Sequence, residues 1–287
     1  MNCSDFLLGS TNMRSKKASF DPPSLNYITL IQSAIKSVAV DHFSQMLSVI
    51  DQGAHKSTIP SLLYQDPQYY WIFKNAEFQQ WTSTRSQTLW LLGPSRCNIY
   101  QISSYLLDSL PKIILENRSY VLYFFCSTAT EQKSPAISFV HTLLLQILNF
   151  SSPEQKALII GHFLHTLFHS ILERSRKNKE RIRRRFKENG SFEDIIKGML
   201  SDAAIWDALR AVLDDHNHKL LIVVDGIDKI ERQRAEFVQE VRAVIGDLPN
   251  RNAKIMSLIT SQPDDRIKEV LNGLPCIEYD KERKGWL

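Results

Sequence analysis

A chain of 287 residues, 43% hydrophobic and 23% charged, has the composition of a globular protein and the length for one large α/β domain plus a smaller appendage. The net charge of +4 is local, because RSRKNKERIRRRFK (174–187) carries nine Lys/Arg against Glu180 and leaves the rest of the chain negative; there is no general basic character to indicate a nucleic-acid binder. Four scattered cysteines, Cys3, Cys97, Cys126 and Cys276, form no CxxC pair, which argues against a disulfide framework and fits a reducing compartment.

In chain order, residues 1–24 are polar, contain DPP and read as a loose leader without the charged start and apolar core of a secretory signal. Residues 25–68 read as a small helical N-terminal region. Ile28, Ile31, Ile35, Val38, Phe43, Met46 and Ile50 recur there at helical spacing, and DQGAHKSTIPSLLYQDPQ (51–68) is a connection with a short helical piece. From 69 to 287 the periodicity changes. TLWLL (88–92), YVLYFFC (120–126), KLLIVVD (219–225), KIMSLIT (254–260) and, more weakly, PCIEY (275–279) are short apolar runs suited to strands buried on both faces. Helical patterns over 99–116, 135–149, 155–173, 203–214 and 231–246 alternate with them. The expected fold is therefore a three-layer α/β domain, a parallel sheet flanked by helices. The longest apolar run, ALIIGHFLHTLFHSIL (157–172), falls short of the ~20 residues of a membrane span and reads as a buried helix. No transmembrane segment and a cytoplasmic location are expected.

Ligands of open α/β sheets bind beyond the carboxyl ends of the strands, which directs attention to the residues after Leu92, Cys126, Val224 and Thr260. After the first strand, GPSRCNIY (Gly93, Pro94, Ser95, Arg96, Cys97, Asn98, Ile99, Tyr100) has the length of the phosphate-binding loop G-x-x-x-x-G-K-[ST]. Ile99 stands where the lysine belongs, and Tyr100 where the short hydroxyl binds magnesium. After the third strand, DGIDK (225–229) offers Asp225, a carboxylate at the place of a magnesium-shell ligand, and Asp228, with Lys229 where a catalytic glutamate is common. The alternative role for Asp225 is to cap the next turn. After the fourth, TSQPDD (260–265) places Thr260 and Gln262 where a terminal phosphate is commonly sensed, and Pro263 turns the chain away from the sheet.

Other candidates are weaker. His162, His165 and His169 share a helix face without an acidic or thiol partner, so a surface stripe outweighs a zinc site. Run 174–187 reads as a solvated helix or insertion ahead of a site for anionic polymers or lipid. Trp71, Trp81 and Trp90 flank the first strand as core residues, and Tyr70 to Trp81 is a candidate wall for a nucleotide base. Cys97 sits near a helix N-terminus, where thiolates are favoured, without a partner in sequence.

Taken in order, WIFKNAEFQQW, LWLLG, VLYFFC, SPAISFVHTLLLQIL, LLIVVDGIDK and ITSQP resemble the nephrocystin-3-type N-terminal NTPase domain. That family is a relative of the NACHT modules of the STAND class of P-loop ATPases and abounds in large fungal receptor-like proteins. The resemblance runs from Tyr70 to Ile277. Family members read G-x-P-G-S-G-K-[ST], D-[AG]-L-D-E and [TS]-S-R-P at the three loops. Carried over, the lysine falls on Ile99, the hydroxyl on Tyr100, the metal-shell aspartate on Asp225, the acidic pair on Asp228 and Lys229, and the sensing arginine on Gln262.

The resemblance thus implies a P-loop frame whose chemistry has been lost: a degenerate nucleotide site with a vestigial magnesium position at Asp225 and weak or absent ATP binding. It implies a pseudo-NTPase in a signalling or scaffold role. The alternatives are a weak ATPase that uses Arg96 or Lys229, and an anionic-polymer binder through 174–187. Family proteins continue into a winged-helix region and long repeats, whereas this chain stops at Leu287. The expectation is a short paralogue, a truncated product or a protein partner for itself or for full-length relatives.

Overall fold

The structure is a computed structural model that describes residues 69–84, 88–94, 99–113, 119–127, 134–174, 202–214, 219–231, 233–245 and 255–279. The leader, the helical N-terminal region, loop residues 95–98 and the basic run beyond Arg174 lie outside the described residues.

The apolar runs form strands β1 (Thr88–Leu92), β2 (Ser119–Phe125), β3 (Lys219–Asp225), β4 (Ile255–Ser261) and β5 (Cys276–Glu278). All pair in parallel, in the order β2-β3-β4-β1-β5. The helices are α1 (Trp71–Lys74), α2 (Ala76–Thr84), α3 (Ile99–Ile113), α4 (Pro135–Phe150), α5 (Pro153–Arg174), α6 (Asp202–Asp214), α7 (Arg234–Ile245) and α8 (Asp265–Leu271), with a 3-10 turn at Ile227–Lys229.

The strand order decides which face each helix covers. The step from β1 to β2 travels past β4 and β3 in one direction, while the later steps to β3, β4 and β5 travel back. Crossovers between parallel strands are right-handed in roughly 98% of cases, so reversing the direction moves the helix to the other face. Two separate cores result. On one face Leu89, Leu91, Leu221, Val223, Met256 and Leu258 pack with α1, α2 and α3; on the other, Trp90, Leu92, Ile222, Val224 and Ile259 pack with α4 to α8. Alternation along each strand, with both sides covered, explains why the runs read as continuously apolar.

The segment ahead of β1 belongs to the first core. Trp81 is 1% exposed, and the ring of Phe73 lies 5.4 Å from Phe78 and 5.8 Å from Tyr105 of α3. Trp81 is thus packed core, whereas Tyr70 is 58% exposed. The second core centres on Phe139, whose ring lies 5.3 Å from Phe124 and from Trp206 and 5.8 Å from Phe237. α8 is an element the periodicity missed. Asp264 caps it by accepting from the N–H groups of Arg266 (2.9 Å) and Ile267 (3.2 Å), so the chain that Pro263 deflects re-enters a helix at once. Among the described residues no helix is long and apolar enough to cross a membrane.

Because Phe139 joins β2, α4, α6 and α7 through one ring, Phe139→Ala is expected to lower unfolding stability by about 3–5 kcal/mol, measured by urea denaturation.

Candidate functional site

The C-terminal edge of the sheet brings most of the sequence candidates together. Asp225 ends β3 opposite Phe125, and it shares strand parity with Leu221 and Val223, so its side chain turns toward α3. It is 1% exposed. Its Oδ1 accepts hydrogen bonds from Thr260 Oγ1 of β4 (2.7 Å) and from Ser103 Oγ of α3. Thr260 Oγ1 in turn accepts from the Gly226 N–H (2.9 Å), and the Asp225 carbonyl accepts from the Cys126 N–H (2.8 Å). Asp225 Oδ2 has no hydrogen-bond partner. The alternative in which Asp225 caps its own following turn is not what its side chain does; its donors come from two other elements.

Gly93 is buried directly after β1 and donates its N–H to the Ser261 carbonyl (3.1 Å), which continues the β1–β4 pairing one residue further. Pro94 is exposed. Ser95, Arg96, Cys97 and Asn98 lie outside the described residues. Ile99 opens α3 and is 9% exposed, its side chain a member of the first core. Tyr100 lies in the first turn of that helix. With β4 between β3 and β1, Asp225, Thr260 and Gly93 occupy the same end of the sheet.

The remaining candidates sit close by. Asp228 Oδ1 accepts the N–H of Gln262 (2.9 Å), so Asp228 holds the chain leaving β4. Gly226 has φ +70°, the left-handed region that glycine enters without a Cβ clash. Lys229 folds back across it: a Cβ on Gly226 would meet Lys229 Cε and Nζ at 3.0 Å. The Cys126 thiol, fully buried beside these groups, is pushed well above its ordinary value by burial and then by Asp225; Lys229 pulls the other way and Asp228 adds to the rise. It is a thiol that resists ionisation and has none of the character of a nucleophile.

The family resemblance places a vestigial magnesium position at Asp225, and the described residues around that carboxylate make a poor match to one. Magnesium wants near-octahedral oxygen ligands and keeps several waters. Among the described residues, Asp225 itself offers one unpartnered oxygen, and solvent barely reaches it, with both nearby hydroxyls donating to its Oδ1. The described residues contain no group of three or more His, Cys, Asp or Glu able to hold a metal.

The histidines of α5 do not belong to this edge. The His165 and His169 rings lie 6.4 Å apart, His162 and His165 are half-buried, and His169 is exposed. Burial holds His165 below its ordinary value of 6.5, with His169 and His162 adding to the effect.

Sequence reasoning missed Ser103 and misassigned Thr260. Ser103 falls on the apolar stripe of α3 between Ile99 and Leu106, and a hydroxyl on a buried helix face is a signal that it has a partner. Thr260 was expected to face a phosphate; it is fully buried and faces Asp225 because it continues the parity of Met256 and Leu258. Removing Thr260 Oγ1 leaves both the Gly226 N–H and Asp225 short of a partner. Thr260→Val is therefore expected to cost about 2–4 kcal/mol, and Ser103→Ala about half as much, in chemical denaturation. For His165 the folded value lies below the unfolded one, so the unfolded chain takes up the proton first. Its contribution is present above pH ~6.5 and is lost as pH falls toward the folded value, and His165→Gln is expected to flatten that part of a stability–pH curve.

The family model described as nephrocystin 3, N-terminal, matches residues 68–160, a segment that takes in α1, α2, β1, the loop, α3, β2, α4 and the start of α5. No curated protein matches the chain. Among solved structures, the Aeropyrum pernix ORC1 protein in complex with DNA is 11% identical with a TM-score of 0.39, the alignment covering 71% of this chain and 44% of that one. Drosophila ORC bound to DNA is 12% identical with a TM-score of 0.37, covering 96% of this chain and 53% of that one. This chain thus spans about half the length of these structures, and over residues 68–160 it is similar to the N-terminal region of nephrocystin 3.

Proposed function

We propose that this chain is a pseudo-NTPase: a NACHT-like module of the STAND type, of the kind found in fungal receptor proteins, that works as a cytoplasmic signalling or scaffold domain through protein contacts. The observation that carries this reading is the fate of the polar positions at the strand ends. The position of the phosphate-gripping lysine is Ile99, packed into the core. The metal-shell carboxylate, Asp225, is taken up by Ser103 and Thr260. The catalytic acid is replaced by Lys229 and the sensing arginine by Gln262, whose N–H binds Asp228. Ile99 thus substitutes a packing role for a chemical one, and Asp225 is held by hydroxyls of the protein itself.

The energetics favour loss of turnover. Phosphoryl transfer depends on positioning and on charge stabilisation by lysine, magnesium and arginine, and loss of one such group commonly costs about 10²–10³ in rate. With an apolar side chain at 99, the triphosphate also lacks its principal point charge. A module without turnover can still serve as a partner surface, and self-association or pairing with longer relatives fits a domain of this size.

Calorimetric titration with ATP and magnesium, with phosphate release measured alongside, tests the reading. The expected result is no turnover and no micromolar, magnesium-dependent binding. Micromolar binding with measurable turnover overturns it and favours a weak ATPase that uses Arg96 or Lys229.

A further inference from the structure

We propose that the side-chain amide of Gln146 stands in for a neighbouring strand at the outer edge of β2 and keeps a second copy of this chain from adding its own strand there. The inference goes beyond the proposed function and stands whether or not a nucleotide binds.

β2 is the last strand in the order β2-β3-β4-β1-β5, so among the described residues β3 is its one strand neighbour. Backbone groups alternate along a strand, and one residue past β2 the Cys126 N–H donates to the Asp225 carbonyl (2.8 Å). Residues of even number therefore turn N–H and C=O toward β3, and Val121 and Tyr123 turn theirs outward. An outward row of this kind is a template on which another chain can pair. A second copy is the partner that fits it, because an identical β2 turned by a two-fold axis presents the same row in antiparallel pairing.

At Tyr123 the row is already answered. Gln146 Oε1 accepts the Tyr123 N–H at 2.9 Å, and Gln146 Nε2 donates to the Tyr123 carbonyl at 2.8 Å. One carboxamide thus gives the strand both the acceptor and the donor that an added strand would give. Gln146 interrupts the apolar run LLLQIL (143–148) of α4, and this half-buried amide finds its partners in backbone. One helical turn further on, the Phe150 ring stacks on Tyr120 of β2, with centroids 4.9 Å and planes 15° apart. The contacts at Tyr120 and Tyr123 together lay the last turns of α4 along β2 and hold the amide in place. A strand added by a second copy has to displace it, breaking two hydrogen bonds before it makes its own.

The test compares the wild type with Gln146→Leu, which keeps the volume and removes both hydrogen bonds, by light scattering over a concentration series. Gln146→Leu is expected to gain an association step at least about tenfold tighter than any the wild type makes through this edge, since the Tyr123 N–H and carbonyl become available to an incoming strand. Adding Val121→Pro, which removes an outward N–H and spares the ladder to β3, is expected to abolish that step. Hydrogen exchange on the wild type needs no variant: the Tyr123 amide is expected to exchange at least about tenfold more slowly than the Val121 amide. A Gln146→Leu chain with the wild-type circular dichroism and no added association overturns the inference, as does an added step that survives Val121→Pro. So does a wild type whose two amides are equally protected, because something other than Gln146 then covers the edge.

Discussion

A carboxylate shut away from water has to be satisfied by the protein itself, and at Asp225 that requirement ties three elements of the sheet edge into one arrangement. Its Oδ1 draws Ser103 from α3 and Thr260 from β4 onto the last residue of β3. The costs of failure are large: leaving an ionised group buried and unpaired costs several kcal/mol, more than a typical hydrogen bond contributes when made. Ser103 lies one turn beyond Ile99, so the same contact fixes where α3 begins relative to the strand ends. Both ends of the segment between Gly93 and Ile99 are thereby held, Gly93 through its bond to Ser261 and Ile99 through the core.

The same edge shows apolar and polar positions answering to different demands. Packing maintains the frame: every apolar strand residue contributes to one of two cores, and each core fails locally when a large side chain is removed. The polar positions answer to a different demand. Shut away from solvent, they have to face each other. Thr88 and Ser257 are paired at 2.7 Å, Trp90 Nε1 donates to Ser261 Oγ at 2.9 Å, and Thr260 serves Asp225 and Gly226 together. Apart from Thr88 of β1, these hydroxyls lie along β4, the central strand between β3 and β1, where an unpaired polar atom has no route to water.

Much of this architecture was legible in the chain. The strands stand out as continuous apolar runs and the helices between them by their periodicity, and the strand boundaries read from those runs fall within a residue of those observed. The strand order was not legible, because it is set by which way each crossover travels and local sequence does not record that. α8 escaped because seven residues give a helical period little room to show, although the aspartate after Pro263 is a cap signal of the ordinary kind. At the site, Asp225 was recognisable from a hydrophobic strand ending in an acid. Its partners were not, since Ser103 and Thr260 are more than thirty residues from it in sequence and meet it only through the parity of one strand and the stripe of one helix. Residues 95–98 and 175–187, on which other expectations rested, lie outside the described residues.

The turn after β3 concentrates the consequences of that arrangement into a single position. Gly226 directs the chain into a 3-10 turn, and the turn's period returns residue 229 to the neighbourhood of 225 whatever its side chain is. An acid at 229 would add a third carboxylate near Asp225 and Asp228, and like charges gathered at one strand end disfavour one another's ionised form. A lysine at that position adds no such repulsion. The residue at 229 therefore decides how much like charge gathers at the end of β3.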